Sequence, residues 1–252
     1  MRSPILTAPV VYRDAHLLVL DKPVGIATTA PDAGPSLFAI ARELDPSAPQ
    51  LHPLSRLDTQ VSGLVTFART AHANQVAIEA RKLGTLRRAY LGITARPPAV
   101  SSGDWRFAIA LDVRDPKHRR ALLDDALRSG ASAVKDAHTR YLVHALVGPL
   151  AALNLWPVTG RTHQLRVHAS AAGCPLAGDT AYGGDKRITL ANGRILPAGR
   201  AMLHCAVFRM PDPDQVDRLI ELALSPPADM VALWKAAGGD PAQLALSAAD
   251  LT

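Results

Sequence analysis

Two apolar runs, Arg140–Leu146 and Ala151–Val158, meet at Gly148-Pro149. Runs of this length bounded by turn residues read as the two strands of a hairpin. No other feature limits the fold as much, because two strands joined by so short a turn must pair antiparallel. Further strands are predicted at His16–Leu20, stopped by the turn Lys22-Pro23-Val24-Gly25, at Leu64–Phe67 after Gly63, at Arg88–Thr94 and at Met202–Arg209. Helical spacing appears in Ser36–Leu44, in Ala71–Leu83 before a capping Gly84, in His163–Ala172 before Gly173, and around Met230–Trp234. Strands and helices do not alternate steadily. The expectation is an α+β fold, a mainly antiparallel mixed sheet with flanking helices. The stretch 117–133 reads as polar and irregular.

A chain of 252 residues, 48% of them hydrophobic, can build one sizeable core. It predicts a single catalytic-sized domain over 1–238 and, past Gly238-Gly239, a loosely attached tail at 239–252. Twenty-eight Lys and Arg against 22 Asp and Glu leave a charge of +6, which favours an anionic partner, nucleic acid being the commonest. Two cysteines, Cys174 and Cys205, are too few for a disulfide scaffold and cannot form a zinc site alone. The most apolar stretch, Val143–Val158, is broken by His144, Pro149, Asn154 and Pro157 and is too short to span a bilayer. These features lead to the expectation of a cytoplasmic protein without membrane association. With no self-complementary apolar stripe, the default is a monomer without an obligatory protein partner.

Four segments carry residues suited to chemistry. Asp58 lies in the non-periodic Ser55-Arg56-Leu57-Asp58-Thr59-Gln60-Val61-Ser62-Gly63, where loops hold functional groups; taken alone, an Asp capping a turn with Arg56 as a surface partner is the simpler reading. In Thr159-Gly160-Arg161-Thr162-His163-Gln164-Leu165-Arg166-Val167-His168, a tight entry leads into a helix. Its free N–H groups and Arg161 would favour an anion, and Arg166 lies one turn beyond Thr162. His163 and His168, five apart, share no helical face, so no metal site is expected. Tyr90 follows the basic pair Arg87-Arg88 in a strand, where an aromatic either fills the core or stacks a base. Gly178-Asp179-Thr180-Ala181-Tyr182-Gly183-Gly184 is a loop whose glycines permit unusual backbone angles.

In this order and spacing the segments resemble the RluA-type pseudouridine synthase family. Leu17–Gly25 is similar to its opening strand and turn, and Arg56-Leu57-Asp58 with Ser62-Gly63-Leu64 to the signature around its catalytic aspartate. Tyr90 sits in a strand motif with Arg88 where Lys is usual. Lys135, Ala137 and Thr139 fit a shorter pattern. Gly160–His168 with Gly178–Gly183, then Leu203-His204 and Pro226-Pro227, continue the resemblance over roughly residues 10 to 235. Ser55 stands where His is common and Val61 where Thr is usual, departures that bear on substrate choice.

The resemblance implies a central RNA-binding cleft and conversion of uridine to pseudouridine in structured RNA, ribosomal or transfer. No atoms are gained or lost in that reaction, so no cofactor is implied. It assigns Asp58 as the catalytic carboxylate, Arg166 as the cation that pairs with it, and Tyr90 as the ring against the target base. Arg56 would fill the stack vacated by a flipped nucleotide, and Arg88, Arg161, His163 and Gln164 would bind RNA. Two alternatives are a non-catalytic RNA-binding or RNA-folding protein on the same scaffold, and a glycosidic hydrolase using Asp58 with Asp179.

Overall fold

Leu17, Leu18, Val19 and Leu20 are wholly buried, as a continuous apolar run must be when both faces of its strand are covered. The computed structural model describes residues 7–30, 35–215 and 217–251, so positions 1–6, 31–34 and 216 of the expected domain lie outside the described residues. The contacts divide the chain into two compact units. The first runs up to Arg88 and adds Cys205–Leu224 and the residues from Ser247 on; the second comprises Ala89–His204 and Ser225–Leu246.

In the first unit the strand Leu17–Lys22 pairs antiparallel with Val10–Arg13 on one side and Ser62–Ala68 on the other. Every residue of Ser62–Ala68 is buried. Gly63, at φ +112°, lies so close to Cys205 that a Cβ would collide with its backbone, so only glycine fits there. Helices α1 (Leu37–Leu44) and α2 (Ala71–Lys82) each begin at a hydroxyl cap, Ser36 accepting from the Ala39 N–H and Thr70 from the Ala73 N–H. α2 buries Ala73, Ala77 and Ala80, one small-residue stripe at helical spacing, and Gly84 at φ +71° ends it as predicted.

The second unit carries the hairpin. Thr139–Val147 pairs with Leu150–Pro157, whose other edge pairs with Arg87–Thr94. Ser102–Trp105 adds the outer strand, and Trp105 stacks on Tyr141 at 4.3 Å. Helices α3 (Gln164–Ala171) and α4 (Ala228–Ala236) complete the unit, with two small ribbons separate from this sheet. One ribbon corrects the sequence reading. Arg119–Leu122, in the stretch expected to be irregular, pairs antiparallel with Ala108–Leu111. Its own residues carry no alternation, and Leu122 packs on Ala108 and Ala110.

The tail is also better anchored than expected. Trp234 Nε1 donates to the Asp240 carbonyl at 3.1 Å, and Asp240 and Gln243 form a reciprocal cap over Pro241–Leu244. Leu244, Leu246 and Leu251 are buried, and Arg209 Nη2 donates to the Ala248 carbonyl at 3.0 Å.

Candidate active site

The loop holding Asp58 is fixed through its backbone. The Leu57 N–H donates to Thr28 Oγ1 at 2.9 Å, and the same hydroxyl donates to the Leu57 carbonyl at 3.1 Å. Two residues further on, the Gly25 N–H donates to the Thr59 carbonyl at 2.8 Å, and the Val61 N–H closes the turn on the Asp58 carbonyl at 3.0 Å. Gly25 takes φ +90°, as the predicted turn requires. Beneath it Lys22 is wholly buried, its Nζ donating to the Pro23 and Ile26 carbonyls at 2.8 Å each. A buried ammonium is tolerated only when its protons are satisfied, so Lys22 pins the turn that in turn holds Thr59. Asp58 is thereby held half-buried, two residues after an exposed Arg56 that makes no side-chain ion pair or hydrogen bond among the described residues. Val61 is 2% exposed, so that departure from the family pattern is a packing change.

The Arg166 segment is built as tightly. His163 enters α3 in the left-handed region at φ 57°, and Gln164 spans the entry. Its Oε1 accepts from Thr159 Oγ1 at 2.6 Å and the Arg161 N–H at 3.0 Å; its Nε2 donates to the His138 carbonyl and Thr139 Oγ1 at 2.9 and 3.0 Å. Gln164, expected among the RNA-binding residues, is 4% exposed with its amide engaged inside the protein, where it shapes the loop. The Thr139 hydroxyl is then left to donate to His168 Nδ1 at 3.0 Å, and His168 Nε2 donates to the Phe107 carbonyl at 2.9 Å. Burial pushes the His168 pKa down to about 4, and that of His204 likewise, so both rings are neutral at physiological pH.

Arg166 Nε and Nη2 grip Asp179 Oδ2 and Oδ1 at 2.8 and 2.7 Å. The glycines around Asp179 explain how it gets there. A Cβ on Gly178 would strike the Arg200 carbonyl, and one on Gly184 the Leu176 carbonyl. Tyr182 lies against the other side of Arg166, with the guanidinium 4.8 Å from its ring centre. Its hydroxyl accepts from the Arg119 N–H at 3.1 Å and shares a 2.6 Å hydrogen bond with His163 Nδ1.

The sequence reading offered Arg166 one carboxylate, Asp58; Asp179 and Tyr182 were missed as its supports. Their signal was present in the Gly178–Gly184 loop, whose glycines announce close backbone packing. With its carboxylate committed to Arg166, Asp179 is a poor second acid for a hydrolase. Of the expected RNA contacts, Arg161 is exposed and donates through Nε to the Asp136 carbonyl, His163 is half-buried, and Arg88 is half-buried two residues before Tyr90 on one strand. Tyr90 is 5% exposed, opposite Leu155 in the sheet.

The profile of the RNA pseudouridylate synthase family matches residues 16–171, which contain Asp58, Tyr90 and Arg166. The chain is 34% identical over 190 residues to the Oryza sativa protein named RNA pseudouridine synthase 2, chloroplastic, covering 69% of this chain and 42% of that one. It is 32% identical over 215 residues to the Escherichia coli ribosomal large subunit pseudouridine synthase C, covering 81% of this chain and 62% of that one. It therefore spans less than two thirds of either relative. Human RNA pseudouridylate synthase domain containing 1 superposes with a TM-score of 0.67 at 25% identity, covering 89% of this chain and 85% of that one.

Proposed function

We infer, since this chain belongs to the RNA pseudouridylate synthase family, that it isomerises uridine to pseudouridine within RNA and that Asp58 is the carboxylate that acts. The observation that carries this reading is the Asp58 loop: a carboxylate half-buried beside an exposed arginine, its backbone tied through Thr28 and Gly25. Such rigidity is what positioning a reacting group requires. Breaking the glycosidic bond, turning the base and rejoining it through carbon conserves every atom, so the chemistry asks for no redox group.

Arg166 serves the same reaction as a cation fixed in orientation by Asp179 and Tyr182. A carboxylate working where water is excluded needs such a charge nearby, because an isolated buried charge costs several kcal/mol, roughly. Tyr90 contacts the target base and assists the late proton loss from carbon. The uridine must leave its stack, at a cost of about a few kcal/mol, and the exposed guanidinium of Arg56 is suited to fill the gap. Arg88, Arg161 and His163 hold the RNA backbone nearby.

For the substrate we favour large-subunit ribosomal RNA over transfer RNA, because the Escherichia coli relative is named for that subunit. The protein acts as a monomer in the cytoplasm; among the described residues no helix is long and apolar enough to cross a membrane. The test is to incubate in vitro-transcribed large-subunit RNA with the purified chain and map pseudouridine by reverse-transcription stops after carbodiimide treatment. New stops at discrete uridines are expected. An unmodified transcript, together with an unchanged pseudouridine map in cells lacking the gene, would overturn the reading.

A further inference from the structure

We propose that the ribbon formed by Arg187–Thr189 and Ile195–Pro197 is a second RNA-docking element, one that grips the phosphate backbone of the substrate away from the reacting nucleotide. The inference rests on the RNA-directed activity inferred above and adds a surface to it. The ribbon lies beyond residue 171, where the family profile ends.

Three paired residues per strand make a ribbon too short to stand alone, so its shape must come from its root. Ile188, Leu196 and Ala198 are buried there, at 4%, 5% and 0% exposure. The Ala198 N–H donates to the Lys186 carbonyl at 2.8 Å, and the Gly178 N–H donates to the Asp185 carbonyl at 2.9 Å. The tip is closed by the Leu190 N–H on the Arg194 carbonyl at 2.8 Å, with Gly193 at φ +79°. The root thus hangs directly from the loop that holds Asp179 on Arg166.

The charge is distributed as a binding surface requires. Lys186, Arg187 and Arg194 are exposed, and none has an ion pair or side-chain hydrogen bond among the described residues. Other arginines of the same unit are engaged: Arg166 with Asp179, Arg200 with Asp229, Arg128 with Asp136, and Arg161 with a carbonyl. Asp185 is the only acidic residue between positions 183 and 199. Exposed cations alone are usually a solvated face. Here three of them, none in an ion pair among the described residues, stand at the two ends of a ribbon about 10 Å long, which matches a run of backbone phosphates and no single small anion.

The test compares the wild type with a Lys186→Gln, Arg187→Gln, Arg194→Gln triple variant and with Arg42→Gln, which removes an exposed charge from α1. Binding to in vitro-transcribed large-subunit RNA is measured across a salt series, with kcat at saturating RNA and melting by circular dichroism. The triple variant should melt normally, keep its kcat, bind about tenfold more weakly, and lose about two units of slope in log K against log salt. Arg42→Gln should match the wild type. A triple variant with wild-type affinity and slope overturns the ribbon proposal whatever the catalytic result. A wild type that modifies no RNA overturns the proposed function, and the binding series still decides the ribbon.

Discussion

Arg166 and Asp179, thirteen residues apart, meet through two near-parallel hydrogen bonds of 2.8 and 2.7 Å, with their side chains 7% and 2% exposed. A bidentate pair fixes the guanidinium plane as well as its position. Asp179 thus acts as a positioning residue. Asp179→Asn keeps the shape and removes the charge, and should lower kcat by about 10- to 100-fold with little change in RNA affinity. Steady-state kinetics beside a binding isotherm check this; an unchanged kcat would reject the role. Taking this carboxylate away from the buried arginine should also cost about 3–5 kcal/mol of stability, and Asp179→Glu should restore part of both losses.

The chain between α3 and Asp179 depends on its glycines to different degrees. Gly173 and Gly178 have nearly the same φ, +76° and +77°, but nothing lies within 4 Å of a Cβ on Gly173, whereas one on Gly178 meets the Arg200 carbonyl. Gly173→Ala should therefore cost about 1 kcal/mol, the left-handed penalty alone. Gly178→Ala should cost about 1–3 kcal/mol more from the backbone collision. Paired urea melts decide this, and equal midpoints would contradict it.

How far this was readable from the chain depends on how local each feature is. The hairpin at Gly148, the caps at Gly84 and Gly173 and the strand before Lys22 follow from neighbours in sequence, and all appear as expected. The partnership of Asp179 with Arg166 needs a fold to bring two elements together, so composition and spacing could not assign it. Gln164 is the opposite case. A polar residue at the start of a basic helix looks like a surface group, yet its amide satisfies Thr159, Arg161, His138 and Thr139. Arg119–Leu122 escaped notice because its partner strand, not its own pattern, makes it a strand.

Tyr182 joins that ribbon to the Arg166 helix. Tyr182→Phe keeps the ring beneath Arg166 but removes the acceptor of the Arg119 N–H, leaving a backbone donor short of its partner at a cost of about 1–3 kcal/mol. Limited proteolysis should then cut within residues 108–122 sooner than in the wild type. An unchanged digestion pattern would show that the hydroxyl bond does not hold the ribbon.

Acid should expose the two buried histidines before it reaches the carboxylates. With pKa values near 4 in the fold and about 6.5 unfolded, His168 and His204 take up protons more readily in the unfolded chain. Their contribution is complete above pH 6.5 and is lost progressively as the pH falls from 6.5 to 4, by on the order of a few kcal/mol. Asp45 and Asp229, whose pKa values the fold lowers from 3.8, lose theirs only at lower pH. Denaturation midpoints should fall between pH 6.5 and 4.5, and His168→Gln should flatten that slope. A midpoint constant across this window would contradict the burial of neutral imidazoles.

The most direct test of the account is the Asp58→Asn variant assayed on large-subunit RNA beside the wild type. The account predicts discrete pseudouridines from the wild type and none from the variant, with melting temperature and RNA affinity retained. Pseudouridine formed at an undiminished rate by Asp58→Asn would contradict it.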